Sequence, residues 1–167
     1  MKKVWQFILD RVWQFPQAFL GRICIKACAA EKRRILTKDG WLITWHFFNK
    51  NRNRFTRLIS GVSLGGVILL PYMHEATIKH EYGHSRQSLY LGLFYLPVIG
   101  IYSAVFCNIW DRLFHKKWNR YDRHYWYYKT RWTERWADLL GGVDRDKELA
   151  KIPRPADSKY PEAIYEK

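Results

Sequence analysis

Two histidines and a glutamate lie close together in the sequence His80-Glu81-Tyr82-Gly83-His84, which has the spacing H-E-x-x-H. On an α-helix, residues four apart lie on one face, so His80 and His84 can present two imidazole nitrogens to one metal ion. Glu81 then lies where a carboxylate can accept a proton from an attacking water molecule. Gly83 costs such a helix about 1 kcal/mol against Ala, and a position without a side chain beside the metal would explain that cost. The spacing predicts a hydrolytic zinc site.

A second pair with helical spacing follows in the stretch from Trp132 to Asp138. Glu134 and Asp138 are four residues apart, so a helix would place both carboxylates on one face. A structural zinc ion uses four protein ligands, whereas a catalytic one uses three and leaves a position open. We therefore expect Glu134 to complete a His₂Glu ligand set. We expect Asp138 to accept a hydrogen bond from the far nitrogen of a ligating histidine, outside the ligand set itself.

The elements around the first motif can be placed from local patterns. The apolar, β-branched run over 59–70 ends at Pro71 and predicts one strand. If its part from Val62 to Leu70 lies at a sheet edge, it can bind an extended peptide by strand addition. From about His74 the pattern becomes helical, and Gly92 is a natural stop for that helix.

The chain has 167 residues, enough to bury a core in a single domain. We predict one domain over 1–145, beginning with an amphipathic helical segment over 1–35, and a charged, proline-containing tail over 146–167. The stretch from Trp41 to Phe48 predicts a further strand. The expected fold class is α+β: a small antiparallel sheet, a helix that carries H-E-x-x-H, and a second helix that carries the third ligand.

Taken together, the two motifs resemble the gluzincins, zinc peptidases in which H-E-x-x-H is followed by E-x-x-x-D, as in thermolysin-type enzymes. The wider pattern, over about residues 58–145, is similar to small bacterial zincin-like proteins and toxin-associated domains. The resemblance implies a zinc ion bound by His80, His84 and Glu134, with Glu81 as general base in the hydrolysis of a peptide or protein. The chain is too short for the separate helical domain of thermolysin-type enzymes, so no substrate cleft is implied.

Peptide hydrolysis also needs a group that stabilises the oxyanion. Four tyrosines are available as phenol donors: Tyr121, Tyr125, Tyr127 and Tyr128. Arg131 is an available cation. We expect contacts to the oxyanion or the substrate from Tyr125, Tyr128 or Arg131, and the sequence does not choose among them.

Other readings of these residues stay open at the level of sequence. The remaining histidines are rival ligands or ordinary side chains: His46, His74, His115 and His124. His115 and His124 lie among Lys and Arg, which disfavours binding of a dication, and His46 lies in a predicted strand. Glu134 could instead pair with Arg131 or Arg135 on the surface.

Charge and hydropathy bear on partners. The chain has 29 Lys and Arg against 15 Asp and Glu, a formal net charge of +14. Basic residues alternate with aromatic ones over 111–135, a pattern that suits an anionic membrane surface or single-stranded nucleic acid. No nucleic-acid-binding signature is present, so nucleic acid is not the expected partner.

A charge-free run extends from Ser88 to Trp110, long enough to span a bilayer of roughly 30 Å as a helix, although Gly92, Pro97 and Gly100 interrupt it. The stretch from Val4 to Ala30 is rich in Trp and Phe and suits a membrane interface. The first residues begin like a signal peptide, but Asp10 and Arg11 interrupt their apolar stretch, so we expect a cytoplasmic location or the cytoplasmic face of a membrane. The alternative to a zinc peptidase is a non-catalytic cationic protein that binds membranes or nucleic acid and whose zinc site is vestigial or structural.

Overall fold

The computed structural model describes most of the first 144 residues. The described residues are 12–28, 32–38, 41–49, 61–71, 73–110 and 131–144, with the single residues Ile8, Thr56, Leu113 and Lys147. The helices are α1 (Phe15–Cys28), α2 (Glu75–Leu91) and α3 (Trp132–Gly141), and the strands are β1 (Lys32–Lys38), β2 (Trp41–Phe47), β3 (Val62–Leu64) and β4 (Val67–Leu70). Between α2 and α3, the segment 92–110 consists of short helical turns: a 3₁₀ turn at Gly92–Phe94 and π-helical turns at Leu96–Gly100 and Ser103–Trp110. The fold class is α+β.

The sheet has the strand order β1-β2-β4-β3 and is mixed. Strands β1 and β2 are antiparallel, with Lys38 opposite Trp41, so two residues of hairpin-forming type, Asp39-Gly40, separate them in the sequence. Strands β2 and β4 are parallel, and β3 pairs antiparallel with β4. The predicted antiparallel sheet is therefore wrong for the central pair of strands. The chain reverses direction between β3 and β4, and that reversal makes β4 run in the same direction as β2.

The single strand expected over 59–70 is also wrong. A two-residue turn at Gly65-Gly66 divides it into β3 and β4, and Leu64 pairs with Val67 across that turn. Gly65 has a φ of 64°, a backbone conformation that a residue without Cβ adopts at little cost.

The N-terminal helical segment predicted over 1–35 is too long. Helix α1 ends at Cys28, and the residues from Lys32 onward form β1. Ile35, Leu36 and Thr37 pair there with Thr44, Ile43 and Leu42 of β2.

The sheet packs between α1 and α2, and the alternation of side chains along β4 shows this. Ile68 and Leu70 join a cluster with Tyr82 of α2. Leu69, between them, joins a cluster with Cys28 of α1. Successive strand residues point to opposite faces, so one four-residue strand contributes to the core on both sides of the sheet.

Helices α2 and α3 approach closely because glycines lie where they meet. A Cβ on Gly83 would overlap the carbonyl oxygen of Ala137, and a Cβ on Gly141 would overlap that of Lys79. The two backbones are therefore nearer than any side chain would allow, which brings the side chains on the facing sides of α2 and α3 together.

Replacing Gly83 with Ala should destabilise the protein by about 3 kcal/mol or more, because the new methyl group must displace the α3 backbone. The intrinsic gain in helix propensity, about 1 kcal/mol, does not offset this. The measurement is the free energy of unfolding in urea. Gly100→Ala is the matched control, since its nearest neighbour is the flexible Leu96 side chain at 3.3 Å, and it should cost less than about 1 kcal/mol. Equal stability of the two variants would contradict this packing.

Among the described residues, no single helix is long and apolar enough to cross a membrane. The stretches Glu75–Phe94 and Leu96–Phe106 satisfy length and composition only as a pair, and the pair is bent by 118°.

Candidate metal centre

Three side chains meet between α2 and α3. The Nε2 atoms of His80 and His84 lie 3.1 and 3.4 Å from Oε2 of Glu134. One ligand atom from each of the three residues lies within 4.8 Å of the others, and all three residues are buried. This group could hold a metal ion, and its members are those that the two sequence motifs nominate.

The local structure explains the convergence. Helix α2 places His80 and His84 one turn apart, with their rings edge to face and their centroids 4.7 Å apart. Helix α3 begins at Trp132, so Glu134 lies in its first turn and Asp138 one turn later on the same buried face. The close approach at the interhelical glycines then brings the two faces into contact.

Asp138 contacts the histidine on the side away from Glu134. Its Oδ1 lies 2.6 Å from Nδ1 of His80, and both side chains are buried. A carboxylate only accepts hydrogen bonds, so Nδ1 carries the proton and donates it. Nε2 of His80, 3.1 Å from Oε2 of Glu134, is therefore the nitrogen that can be offered to a metal ion.

His84 has an equivalent partner that the sequence reasoning missed. Oε1 of Gln87 lies 2.8 Å from Nδ1 of His84, and Nε2 of Gln87 donates to the main-chain oxygen of Thr133 at 2.8 Å. Because that carbonyl can only accept, the Gln87 amide orientation is fixed and its oxygen faces the histidine. Gln87 follows His84 by three residues on α2, and this i, i+3 spacing is the signal that could have identified it.

The second carboxylate oxygen of Glu134 is also bonded. Oε1 accepts from Oγ of Ser103 at 3.1 Å and from Oγ1 of Thr133 at 3.4 Å. Ser103 belongs to the segment 92–110, so that segment forms one wall of the group. These bonds leave Oε2 as the atom that faces the two histidines.

Electrostatic coupling inside the group is strong. Burial alone would raise the pKa of Glu134, but His84 and His80 hold that pKa well below its usual range. Burial alone would lower the pKa of His84, but the carboxylates of Glu134 and Glu81 raise it to about 9. Without a metal, His84 is therefore protonated at neutral pH, and the proton must leave before Nε2 can bind a cation.

Glu81 lies beside the group and is not one of the three. It is buried, and the hydroxyl of Ser63 lies 2.7 Å from both its Oε2 and its main-chain oxygen, so the hydroxyl donates to one of them at a time. Its Oε1 occupies the space where a Cβ on Gly61 would lie. The buried Tyr95 donates to the main-chain oxygen of Ser63 at 3.0 Å, and burial raises the pKa of that phenol. Ser63 and Tyr95 are further residues that the sequence did not indicate.

Comparison of the chain with protein-family models, with curated proteins and with solved structures finds no match in any of the three. The geometry of the group is thus the basis for a functional proposal.

The other predicted site residues fall in two classes. Tyr121, Tyr125, Tyr127 and Tyr128 lie outside the described residues, as do the rival ligands His115 and His124. Arg131 immediately precedes α3 and is half-buried. His74 precedes α2 and is exposed, and His46 is buried in β2; neither belongs to the group of three.

Replacing Gln87 with Met should weaken zinc binding about 10- to 100-fold, because the histidine loses the acceptor that orients it. The measurement is a competition titration of zinc against a fluorescent chelator. Gln87→Glu is the matched variant: it keeps an acceptor for His84 but loses the donor to Thr133, and its affinity should stay near that of the parent. Equal weakening in both variants would assign the effect to packing at Thr133.

Proposed function

We propose that the protein is a zinc-dependent peptidase. The observation that carries the proposal is the convergence of three buried ligand atoms, Nε2 of His80, Nε2 of His84 and Oε2 of Glu134. Each histidine also has its other nitrogen bonded to an acceptor, as expected of a ligand whose tautomer must be fixed.

The chemistry of this ligand set favours zinc. Two imidazole nitrogens and one carboxylate oxygen match the donors that zinc prefers, and three protein ligands leave a position for water or substrate. Asp138 would be the natural fourth ligand, but its Oδ1 lies 2.6 Å from Nδ1 of His80, on the side away from Glu134. A bound zinc ion would polarise the scissile carbonyl and lower the pKa of a water molecule. The resemblance to gluzincins, carried by the same residues, supports the same assignment.

The chain's own residues supply proton transfer. Glu81 would accept the proton of the attacking water and deliver it to the leaving amine. The Ser63 hydroxyl, which donates a hydrogen bond to Oε2 of Glu81, would hold the carboxylate in one orientation. Gly61 has no side chain, and this leaves room for Oε1. A contact from β3 thus orients the Glu81 side chain, whereas the packing of α2 against α3 brings the metal ligands together.

An extended peptide is the substrate form that the sheet supports. Strand β3 (Val62–Leu64) lies at an end of the strand order and pairs only with β4 among the described strands. Ser63, which bonds Glu81, is part of this strand. A peptide added to the edge of β3 would therefore lie beside the proposed base.

The test is hydrolysis that depends on the metal. Zinc-loaded protein should cleave members of a mixed, unstructured peptide library, with products identified by mass spectrometry. A zinc chelator should stop cleavage, and added zinc should restore it. A zinc-loaded parent that cleaves no peptide, or cleavage that persists in the chelator, would contradict the proposal; the first result is the one expected of a non-catalytic cationic binder with a structural zinc ion.

A further inference from the structure

Helix α1 and the turn before it have an inverted distribution of side chains. Six of the exposed side chains are large and apolar: Val12, Trp13, Phe15, Phe19, Leu20 and Ile23. The residues buried against the rest of the protein include Gln14 and Gln17, each 0 % exposed. A surface helix of a soluble protein normally shows the reverse.

The segment 92–110 exposes a second set of apolar side chains. They are Leu93, Phe94, Val98, Ile101, Val105, Phe106, Ile109 and Trp110, and Phe94 is 68 % exposed. The sequence carries no charge anywhere between Arg86 and Asp111. An exposed apolar run of this kind marks an interaction site.

The two segments are held next to each other, and their exposed apolar side chains, from residues 12–23 and 93–110, are together called here the apolar face. Trp13 donates from Nε1 to the main-chain oxygen of Leu89 at 2.7 Å, and Gln17 donates to that of Gly92 at 2.7 Å. A Cβ on Gly92 would overlap the Trp13 ring. The start of α1 is thereby held against the start of the segment 92–110.

Polar contacts fill the place where an apolar helix interface would be expected. The hydroxyl of Ser88 donates to Oε1 of Gln14 at 3.0 Å, and Nε2 of Gln17 donates to that hydroxyl at 3.1 Å. Small residues and hydrogen-bonding side chains between helices, with large apolar ones outside, are the arrangement found where helices associate in lipid.

We propose that the apolar face docks into the surface of an anionic lipid bilayer. A formal charge of +14 attracts an anionic surface and opposes the approach of a second copy of the same chain. Arg22 and Lys26 lie in the second half of α1, and in the sequence Trp110 is followed by the cations Arg112, Lys116 and Lys117. The 118° bend between α2 and the segment that follows fits immersion in one leaflet.

Docking would bring the metal centre to the lipid surface. Ser103, within the segment 92–110, bonds Glu134, and the Tyr102 ring lies 5.4 Å from that of Trp132, at the start of α3. The docking itself is independent of the proposed peptidase activity.

The experiment is flotation of the purified full chain with vesicles of phosphatidylcholine, with or without phosphatidylglycerol. The parent should float with the mixed vesicles and stay with them in high salt, because screening leaves apolar contacts intact. The double variant Phe94→Glu, Ile101→Glu should bind at least about 100-fold more weakly, since two apolar contacts are lost. Met73→Glu is the matched control: Met73 is 54 % exposed but precedes α2, at the opposite end of that helix from Gly92, and its variant should float like the parent.

A second measurement needs no substitution, so it decides the matter if the double variant fails to fold by circular dichroism. A lipid-anchored diazirine should label peptides from 12–23 and 93–110 of the parent and spare the peptide that contains Met73. The proposal is overturned if the parent does not float, if the folded double variant floats equally well, or if labelling spares the apolar face. A parent that ignores vesicles and forms a dimer that the double variant dissociates would assign the face to a second copy of the chain.

Discussion

Replacing Glu81 with Gln should leave zinc bound and lower peptide hydrolysis by a factor of about 100 or more. The amide keeps the size of the side chain and can still accept from Ser63, but it cannot take a proton from water. Because Glu81 is outside the group of three, the ligand atoms are unchanged. The measurements are zinc content after dialysis and the initial rate of cleavage of the best library peptide.

Ser63→Ala is the matched control for this experiment. It removes the hydroxyl that orients the Glu81 carboxylate and keeps the base itself, so its rate should fall by a smaller factor than that of Glu81→Gln. Turnover by zinc-loaded Glu81→Gln at the parental rate would remove Glu81 from the mechanism, and loss of zinc in that variant would mean that the carboxylate helps to bind the metal.

The ligand group could be foreseen because its information is local. Spacing of four residues on a helix defines a face, so each of the two motifs specifies half of the centre without knowledge of the fold. The sequence predicts that Gly83 leaves space beside the metal. In the structure, its missing side chain instead lets the α3 backbone approach α2 at Ala137.

The sheet could not be foreseen to the same extent. Gly65 and Gly66 are residues that turns favour, but they lie inside an apolar, β-branched run, and that run predicts a single strand. The parallel pairing of β2 with β4 depends on the turn at these two glycines and joins residues far apart in the chain, such as Thr44 and Val67. The contacts of Ser63 and Tyr95 near Glu81 depend on the same long-range packing.

The N-terminal helix shows a different limit of pattern reading. The sequence predicts a helix with an apolar and a polar face, and its Trp and Phe content suits a membrane interface. Four large apolar residues of α1 are exposed, namely Phe15, Phe19, Leu20 and Ile23. Ile25 packs against the core, and Gln17 is buried and donates to Ser88. Periodicity reveals that a helix has two faces, but it does not say which of them the protein covers.

Removing any one of the three ligands should abolish stable zinc binding. The parent should retain about one zinc ion per chain after dialysis, and His80→Ala, His84→Ala and Glu134→Gln should each retain little, because two protein ligands rarely hold the metal. The measurement is metal analysis by mass spectrometry on protein whose fold has been checked by circular dichroism.

Two further variants make the result specific to this centre. His74→Ala removes an exposed histidine that immediately precedes the same helix, and it should retain zinc like the parent. Asp138→Asn keeps the ligands but weakens the partner of His80, so its affinity should fall about 10- to 100-fold without loss of stoichiometry at saturating zinc. Full zinc in both His80→Ala and His84→Ala would place the metal elsewhere in the chain. Loss of zinc from His74→Ala would likewise reject a centre built only from His80, His84 and Glu134, because a distant and exposed imidazole cannot contribute to a buried ligand set.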